Sequence, residues 1–585
     1  MAGGMYEALL RLFAVRQKKN EQTTLAFIVA LIGLGLVFSF FHLIRQFSHW
    51  FRRRHGRSMM PYYLVAIPRT IRKWTLRRVV GVPSLGHASV VTIYFAVNVI
   101  CLFVNMDRKG LGTTTNIASR SGWLATANLL FVIFFALKNT PLAFLTAWSY
   151  ERLNCLHKVC GYGALVHTII HAACYSYYFT NTGQASILLR TSDIMGIVAG
   201  GSWFLLVLAA IFIRPWWYEL FYYLHVLLWV VSLITLGLHR PDLSSKVAIG
   251  TVVAGAMWGM DRLIRLVRMI FYTVNNSATL TPLSNGGTRV TLAKPPVGGI
   301  PGKHTYLWIP QIRLFQTHPF TIASAEPLEL VIASRDGFTG ALHKYAVANP
   351  GVRLRASIEG PYGTLPDASS FETVVLIAGG SGASFIFGLA QALLRTKATS
   401  HIVTQKVVFV WIVKHNSQLE WFSDHLITLR NDPRFSVQVF VTRSSPPPPP
   451  LPPLRSGTAV QNQDEEKKGT RGFEGYNYER RQHLHAASSD SSIDLEKSSP
   501  RSDGESTLGA DADASIDEKK VLIEYQRPDI PGLIREVVGE AAAQESILIA
   551  GCGPGKLMDV MRETTADCIR WDGPSIELHC EKYGW

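Results

Sequence analysis

Apolar runs near residues 24–44, 86–104, 121–138, 155–178, 196–213, 218–238 and 245–262 mark the first half of the chain, and a helix crosses a bilayer with about 20 such residues. Lipid offers the backbone no hydrogen-bond partners, so each run must satisfy its own amides as a helix. A bundle of about seven spans is expected over residues 24–270. Its last member is the weakest, because Asp261, Arg262 and Arg265 cut it short. Composition agrees: 48% hydrophobic and 17% charged over 585 residues, at mean hydropathy +0.16, exclude general disorder and an ordinary cytosolic enzyme. The polar tail 1–23 carries Arg11, Arg16, Lys18 and Lys19, and no small-residue cleavage site follows the first run. That run therefore reads as a retained helix rather than a signal peptide.

The formal charge of +16 raises nucleic acid as a partner, but the Lys and Arg flank spans instead of forming a folded patch, so none is expected. Between the first two runs, the segment from Arg45 to Arg78 holds ten Lys and Arg and no acid. By the positive-inside rule it is cytosolic, with the N-terminus outside and everything after about residue 262 inside. A polybasic surface on membrane lipid is the alternative reading and fits the same orientation. The seven cysteines, at 101, 155, 160, 174, 552, 568 and 580, show no paired CxxC spacing, which argues against a zinc ribbon or a disulfide framework.

Ionisable side chains inside spans are costly and mark function. The fourth run holds His157 and His171; the sixth holds His225 and His239, again fourteen positions apart. Fourteen residues return a helical side chain to within about 40° of its starting face, about 21 Å further along the axis. The two helices run in the same direction, so His157 is expected to face His225 near the cytosolic side and His171 to face His239 near the outer side. Two axial imidazoles at each level suit a planar macrocycle, whereas tetrahedral zinc needs four convergent ligands. Two b-type hemes are the reading, set against the blander one of hydrogen-bonded structural histidines. His167, one turn before His171, is taken as a decoy.

From about residue 275 the pattern changes to short alternating segments broken by Gly and Pro, such as GTRVTLAKP and HPFTIAS, which predict an antiparallel β-barrel over 275–368. From residue 370 to 585, strands such as TVVLIAGG, KVVFVWIV and SILIAG alternate with helices, predicting a doubly wound parallel sheet that binds a nucleotide. An insertion at 444–519 opens with PPPPPLPPL and continues in Ser, Asp, Glu and Lys; its composition predicts disorder, with a binder of the proline-rich stretch as one function and tolerated length as the simpler account.

Ala378-Gly379-Gly380-Ser381-Gly382-Ala383-Ser384 follows a strand and opens a helix, so its amides and the helix dipole can hold a pyrophosphate. Phe385 stands where GxGxxG would have its third glycine, and a second Gly-rich corner, Gly551 to Gly555, follows a later strand. These features, with His318-Pro319-Phe320-Thr321, Ile322-Ala323-Ser324, Gly360-Pro361-Tyr362-Gly363, Cys552-Gly553-Pro554, the paired histidines and a terminal Trp585, resemble the ferric reductase transmembrane family, which includes fungal metalloreductases and NADPH oxidases. The resemblance implies a ferredoxin-reductase-like module of FAD domain and NADPH domain behind the membrane bundle. It implies flavin contacts at His318, Pro319, Phe320, Thr321 and Ser324, and flavin pyrophosphate contacts at the segment of Gly337 and Thr339. It implies nucleotide contacts at Gly379, Gly380, Gly382, Gly553 and Pro554, Cys552 near the nicotinamide, and Trp585 over the flavin ring. Lys414 stands where many members have Arg and would meet the ribose 2′-phosphate of NADPH, with Arg527 as a second cation; Lys brings the charge without the two-pronged geometry.

The expected function is transmembrane electron transfer from cytosolic NADPH through FAD and two hemes to ferric chelates outside, with cupric chelates second. Plasma membrane is the default that the resemblance implies. An oxidase making superoxide from dioxygen is the rival enzyme, and a membrane scaffold or channel that senses nucleotide is the rival of another class.

Overall fold

The computed structural model describes residues 2–55, 62–79, 82, 84–107, 110–146, 150–240, 242, 245–395, 404–443 and 522–582. The proline-rich insertion and Trp585 lie outside the described residues. The N-terminal half is helical: α1 (Ala2–His55), α2 (Tyr62–Leu76), α3 (Leu85–Phe103), α4 (Thr113–Ala136), α5 (Leu142–Thr146), α6 (Tyr150–Asn181), α7 (Thr191–Leu208, extended by a π turn to Ile213), α8 (Tyr218–His239) and α9 (Lys246–Phe271). Six of these, α1, α3, α4, α7, α8 and α9, are long and apolar enough to cross a membrane.

That is one fewer than the seven expected, and the helix left out is α6. Its length suffices, but His157, Lys158, His167, His171 and its glycines and tyrosines lower its hydropathy below that of the other six. One side of α6 packs on α3, α4 and α7, while Tyr162, Val166 and Ile169 form an exposed apolar stripe on the other. The seventh run, in contrast, is longer than expected. α9 continues past Asp261, because Asn139 donates to that carboxylate at 3.0 Å and Arg265 Nε donates to Glu359 at 3.0 Å. An arginine is also buried: Arg120, 1% exposed, donates to Asn20 Oδ1 at 2.7 Å and to the carbonyls of Cys101, Val104 and Asn105. It thereby ties α1 and the end of α3 to α4 with its charge enclosed by oxygen.

The second half forms two sheets. The first contains β1 (Ser277–Leu283), β2 (Gly287–Leu292), β3 (His304–Trp308), β4 (His318–Ala325), β5 (Leu328–Ala333), β6 (Arg353–Arg355) and β7 (Ser357–Tyr362), in the order β6-β1-β2-β5-β4-β3-β7, every pair antiparallel. Its two outer strands are separated in the chain by Ala356 alone, so the sheet curls until its edges join covalently. Among the described residues no ladder pairs β6 with β7. Alternate residues such as Leu280, Val290, Ile322, Leu330 and Ile358 fill the interior, and α10 (Phe338–Ala348) plugs one end with Phe338 and Leu342.

The second sheet contains β8 (Thr373–Gly379), β9 (Lys406–Val413), β10 (Phe435–Val441), β11 (Leu522–Glu524), β12 (Ser546–Gly553) and β13 (Ser575–Lys582), all parallel, in the order β11-β10-β9-β8-β12-β13. Helices α11 (Ala383–Arg395), α12 (Ser423–Arg430), α13 (Ile530–Glu540) and α14 (Gly555–Cys568) pack on it. Covered on both faces, β8 and β12 read as unbroken apolar runs. The strand order reverses between β8 and β12, which opens a crevice at their carboxyl ends.

Candidate functional site

The four histidines meet in twos. His157 and His225 have ring centroids 6.2 Å apart, and His171 and His239 have theirs 6.3 Å apart. The Nδ1 of His157 lies 2.9 Å from the Val132 carbonyl, that of His171 2.8 Å from Ala118 O, and that of His239 2.7 Å from Ser192 O. A carbonyl only accepts, so each Nδ1 carries the proton and each Nε2 keeps a lone pair. Close helix approach makes these contacts. A Cβ on Gly122 would stand 2.7 Å from His171 Nδ1, and one on Gly196 2.6 Å from His239 Nδ1. His225 Nδ1 is buried without a partner. Among the described residues no group of three or more His, Cys, Asp or Glu could hold a bare metal ion.

His167 points elsewhere. Its Nε2 lies 3.0 Å from Asn98 Oδ1, in a buried chain where Tyr94 donates to Asn128 and Asn128 donates to Asn98. The nitrogen that a ligand would use is thus engaged in tying α3, α4 and α6 together.

A cavity of about 1400 Å³ lies between the bundle and the sheets. Pro319, Phe320 and Thr321 of β4 line it, as do Thr339, the Gly-rich turn through Ser381 and Ser384, and Cys552 at the end of β12. Asn154, Cys155 and Lys158, around His157, line its membrane side. The 157/225 pair therefore belongs to the end of the bundle that meets the sheets. At the same seam Tyr223 donates to Phe315 O at 3.3 Å, and Glu219 lies close to the position a Cβ would take on Gly337.

His318 stacks on Phe338 at 4.7 Å, and burial pushes its imidazole below the ordinary histidine range, with the Glu219 carboxylate opposing. Gly337, at φ +76°, turns the chain into α10, and Thr339 Oγ1 accepts from the Arg335 amide at 2.9 Å. The two Gly-rich corners abut: a Cβ on Gly379 would stand 2.7 Å from Pro554, and one on Gly553 3.1 Å from Gly379 N. Gly380 takes φ +58°, and its carbonyl accepts from Trp411 Nε1 at 3.0 Å. Gly382 is buried at the turn into α11. The departure at Phe385 has a cause, since its ring stacks on His579 of β13 at 5.5 Å and 12°.

His318, Gly337 and the glycines and Pro554 of the two corners adjoin the cavity without lining it, and Ser324 and Lys414 are not on its wall either. Ser324 sits opposite Glu329 in the ladder, and Lys414 is exposed just past β9. The Arg443 amide donates to Lys414 O at 2.9 Å, which places a second cation beside it at the carboxyl edge of β9 and β10. Arg527 lies exposed three residues past β11. Sequence reasoning missed Arg443, and it missed His304 and Arg335 on the cavity wall. None of the three lies in a recognisable motif; position at a strand end was the signal available for Arg443.

Comparison with known proteins matches three family patterns in chain order: a ferric reductase like transmembrane component over residues 121–236, an FAD-binding domain over 276–365 and a ferric reductase NAD binding domain over 371–566. Ferric/cupric reductase transmembrane component 2 of Saccharomyces cerevisiae is 25% identical over 84% of this chain and 65% of its own length. Ferric reductase transmembrane component 3 of the same yeast is 24% identical over 86% and 67%. A probable cell surface ferric reductase of Aspergillus oryzae is 28% identical over 60% and 51%. The chain thus spans about two thirds or less of these relatives. Three patterns in this order, over a helical bundle with paired imidazoles and two sheets around one cavity, mean that the chain belongs to the ferric reductase transmembrane family.

Proposed function

We propose that the protein is a transmembrane oxidoreductase that carries electrons from cytosolic NADPH through FAD and two b-type hemes to ferric chelates, or second to cupric ones, outside the membrane. The cavity carries this reading: flavin-strand residues, the Cys552 corner and the His157 end of the bundle face one space. NADPH, FAD and heme supply the hydride and single-electron chemistry; the chain holds, spaces and insulates them.

The imidazole pairs fit the hemes. Each pair, with ring centroids 6.2 or 6.3 Å apart and with Nδ1 turned to a backbone carbonyl in three of the four rings, would hold one heme through Nε2. Carbonyls at Nδ1 orient three of the rings and raise their basicity, as outer partners of metal-bound histidines do. Pro319, Phe320, Thr321 and Thr339 are the flavin-side residues, with His318 behind them on Phe338. Gly379, Gly380, Gly382, Gly553 and Pro554 leave room for a pyrophosphate at the crevice. Lys414, with Arg443 and Arg527, is the candidate for the 2′-phosphate; Cys552 is placed beside the nicotinamide and Trp585 over the flavin by family resemblance.

The apolar outer stripe of α6 supports a seventh crossing, which puts the N-terminus outside and the sheets in the cytosol. Plasma membrane is the proposed location. The test is reduction of an impermeant ferric chelate by cells expressing the protein, with and without oxygen and superoxide dismutase, beside His171→Ala and His239→Ala. Reduction that persists without oxygen, ignores dismutase and vanishes in both variants is expected. Reduction that needs oxygen and disappears with dismutase would instead make the chain an oxidase.

A further inference from the structure

The basic segment between the first two membrane helices does more than report topology. In α2, Arg72 Nη1 donates to Ile576 O at 2.8 Å and its Nη2 reaches Glu577 at 3.4 Å; both partners are on β13, the edge strand of the nucleotide sheet. Arg45, near the end of α1, reaches the other Glu577 oxygen at 3.7 Å. Arg69 Nη1 donates to Trp571 O at 3.2 Å, and Arg78 meets Asp559 of α14 at 3.6 Å. Four cations from residues 45–78 thus engage α14, β13 and the loop between them, about 500 residues further along the chain. Glu577 is the keystone: it is mostly buried, and arginines from two helices converge on it.

The geometry of α2 suits a strap. At 100° per residue Arg69 and Arg72 share one face, and Ile71 and Trp74 lie on the opposite one. The first face meets β13, and the second stays exposed and apolar. The strap is also a wall of the shared cavity, through Arg45, Arg72 and Arg78. Its hold on β13 acts next door, since β13 pairs in register with β12 and sets Glu581 beside Cys552.

We propose that the α1–α2 segment is a strap that seats the nucleotide sheet against the membrane half, with Arg72 and Glu577 as positioning residues that set the gap between the Cys552 corner and the flavin strand. The inference rests on the proposed function for its kinetic consequence. Its structural content stands alone.

The test compares the full-length parent with Arg72→Glu, Glu577→Arg and the double exchange, each in lipid nanodiscs. One readout is hydrogen exchange of the β13 amides. The other two are the rate at which NADPH bleaches the flavin and the rate at which dithionite reduces the heme, read from the shift of its Soret band. Each single reversal is expected to speed exchange across β13 and to slow flavin bleaching by about tenfold to a hundredfold, the latter being what a misplacement of about 1 Å can cost. Dithionite reduction of the heme stays at the parent rate, and the double exchange restores both losses. The strap is overturned if single reversals exchange and bleach like the parent. It is equally overturned if the double exchange behaves like the worse single at full FAD and heme content. A parent that NADPH does not bleach refutes the proposed function instead, and hydrogen exchange then decides the strap.

Discussion

Single atoms decide whether an imidazole can serve as a ligand. Gly196 has no Cβ because His239 occupies that space; on the proposed two-heme reading, Gly196→Val should displace the ring and remove about half of the heme absorbance per FAD. A pyridine hemochrome assay against flavin content checks it. His167 is set apart from the four paired histidines by its Nε2, which lies against Asn98, a contact that its helical spacing from His171 does not reveal. His318 makes a pH prediction. Burial lowers its folded-state pKa, so the neutral ring is favoured, its contribution to stability is whole above the ordinary value of about 6.5, and that contribution is lost as pH falls through the folded value. FAD should therefore be retained less well at pH 5 than at pH 7, and His318→Gln should flatten the dependence; equal retention by the parent at both pH values would count against it. At the edge of β9, Lys414→Glu with Arg443→Glu should raise KM for NADPH about tenfold while leaving KM for NADH nearly unchanged, as steady-state kinetics can show.

Elements are held by close approaches that the period of a sequence does not reveal. α11 meets the first sheet through Gly388, where a Cβ would stand 2.2 Å from Gly302 N. The obstacle is backbone and cannot rotate away, so Gly388→Val should cost about 1–3 kcal/mol by overpacking. A lower melting temperature of the soluble half, followed by flavin fluorescence, is the expected result; an unchanged melt would mean that α11 shifts freely. The alternating segments of the first sheet and the apolar cores of β8, β9, β10 and β12 were readable in the chain. β11 and β13 were not. Both are edge strands, β11 is three residues long, and β13 mixes Glu, His, Cys and Lys because one of its faces takes up arginines of α1 and α2 at Glu577 while the other packs on the core.

Across the whole molecule, the proposed electron path depends on the seam between bundle and sheets. Arg265 and Glu359 are both shielded there, and Tyr362 donates to the same carboxylate. Arg265→Ala strands a charge that is 2% exposed, which costs about 3–5 kcal/mol when a buried partner is removed. Loosened seating should slow NADPH-driven heme reduction while flavin bleaching continues, and Arg265→Met with Glu359→Gln should recover most of the loss. Stopped-flow spectra at the two absorbance bands separate these steps, and parallel slowing of both bands would contradict the assignment.

What the sequence determined by itself was periodic. Apolar length made membrane helices, a fourteen-residue interval put two imidazoles on one helix face, and alternation of strands with helices made a parallel sheet with glycine turns at its crevice. These follow from local geometry, because a helix or strand repeats the same rotation wherever it lies. Tertiary structure decided what depends on neighbours distant in the chain: that α6 packs inward despite its low hydropathy, that His167 belongs to Asn98, that Arg443 stands beside Lys414, and that the basic segment after α1 grips β13. No period encodes such contacts, since each requires two segments to be brought together by burial elsewhere.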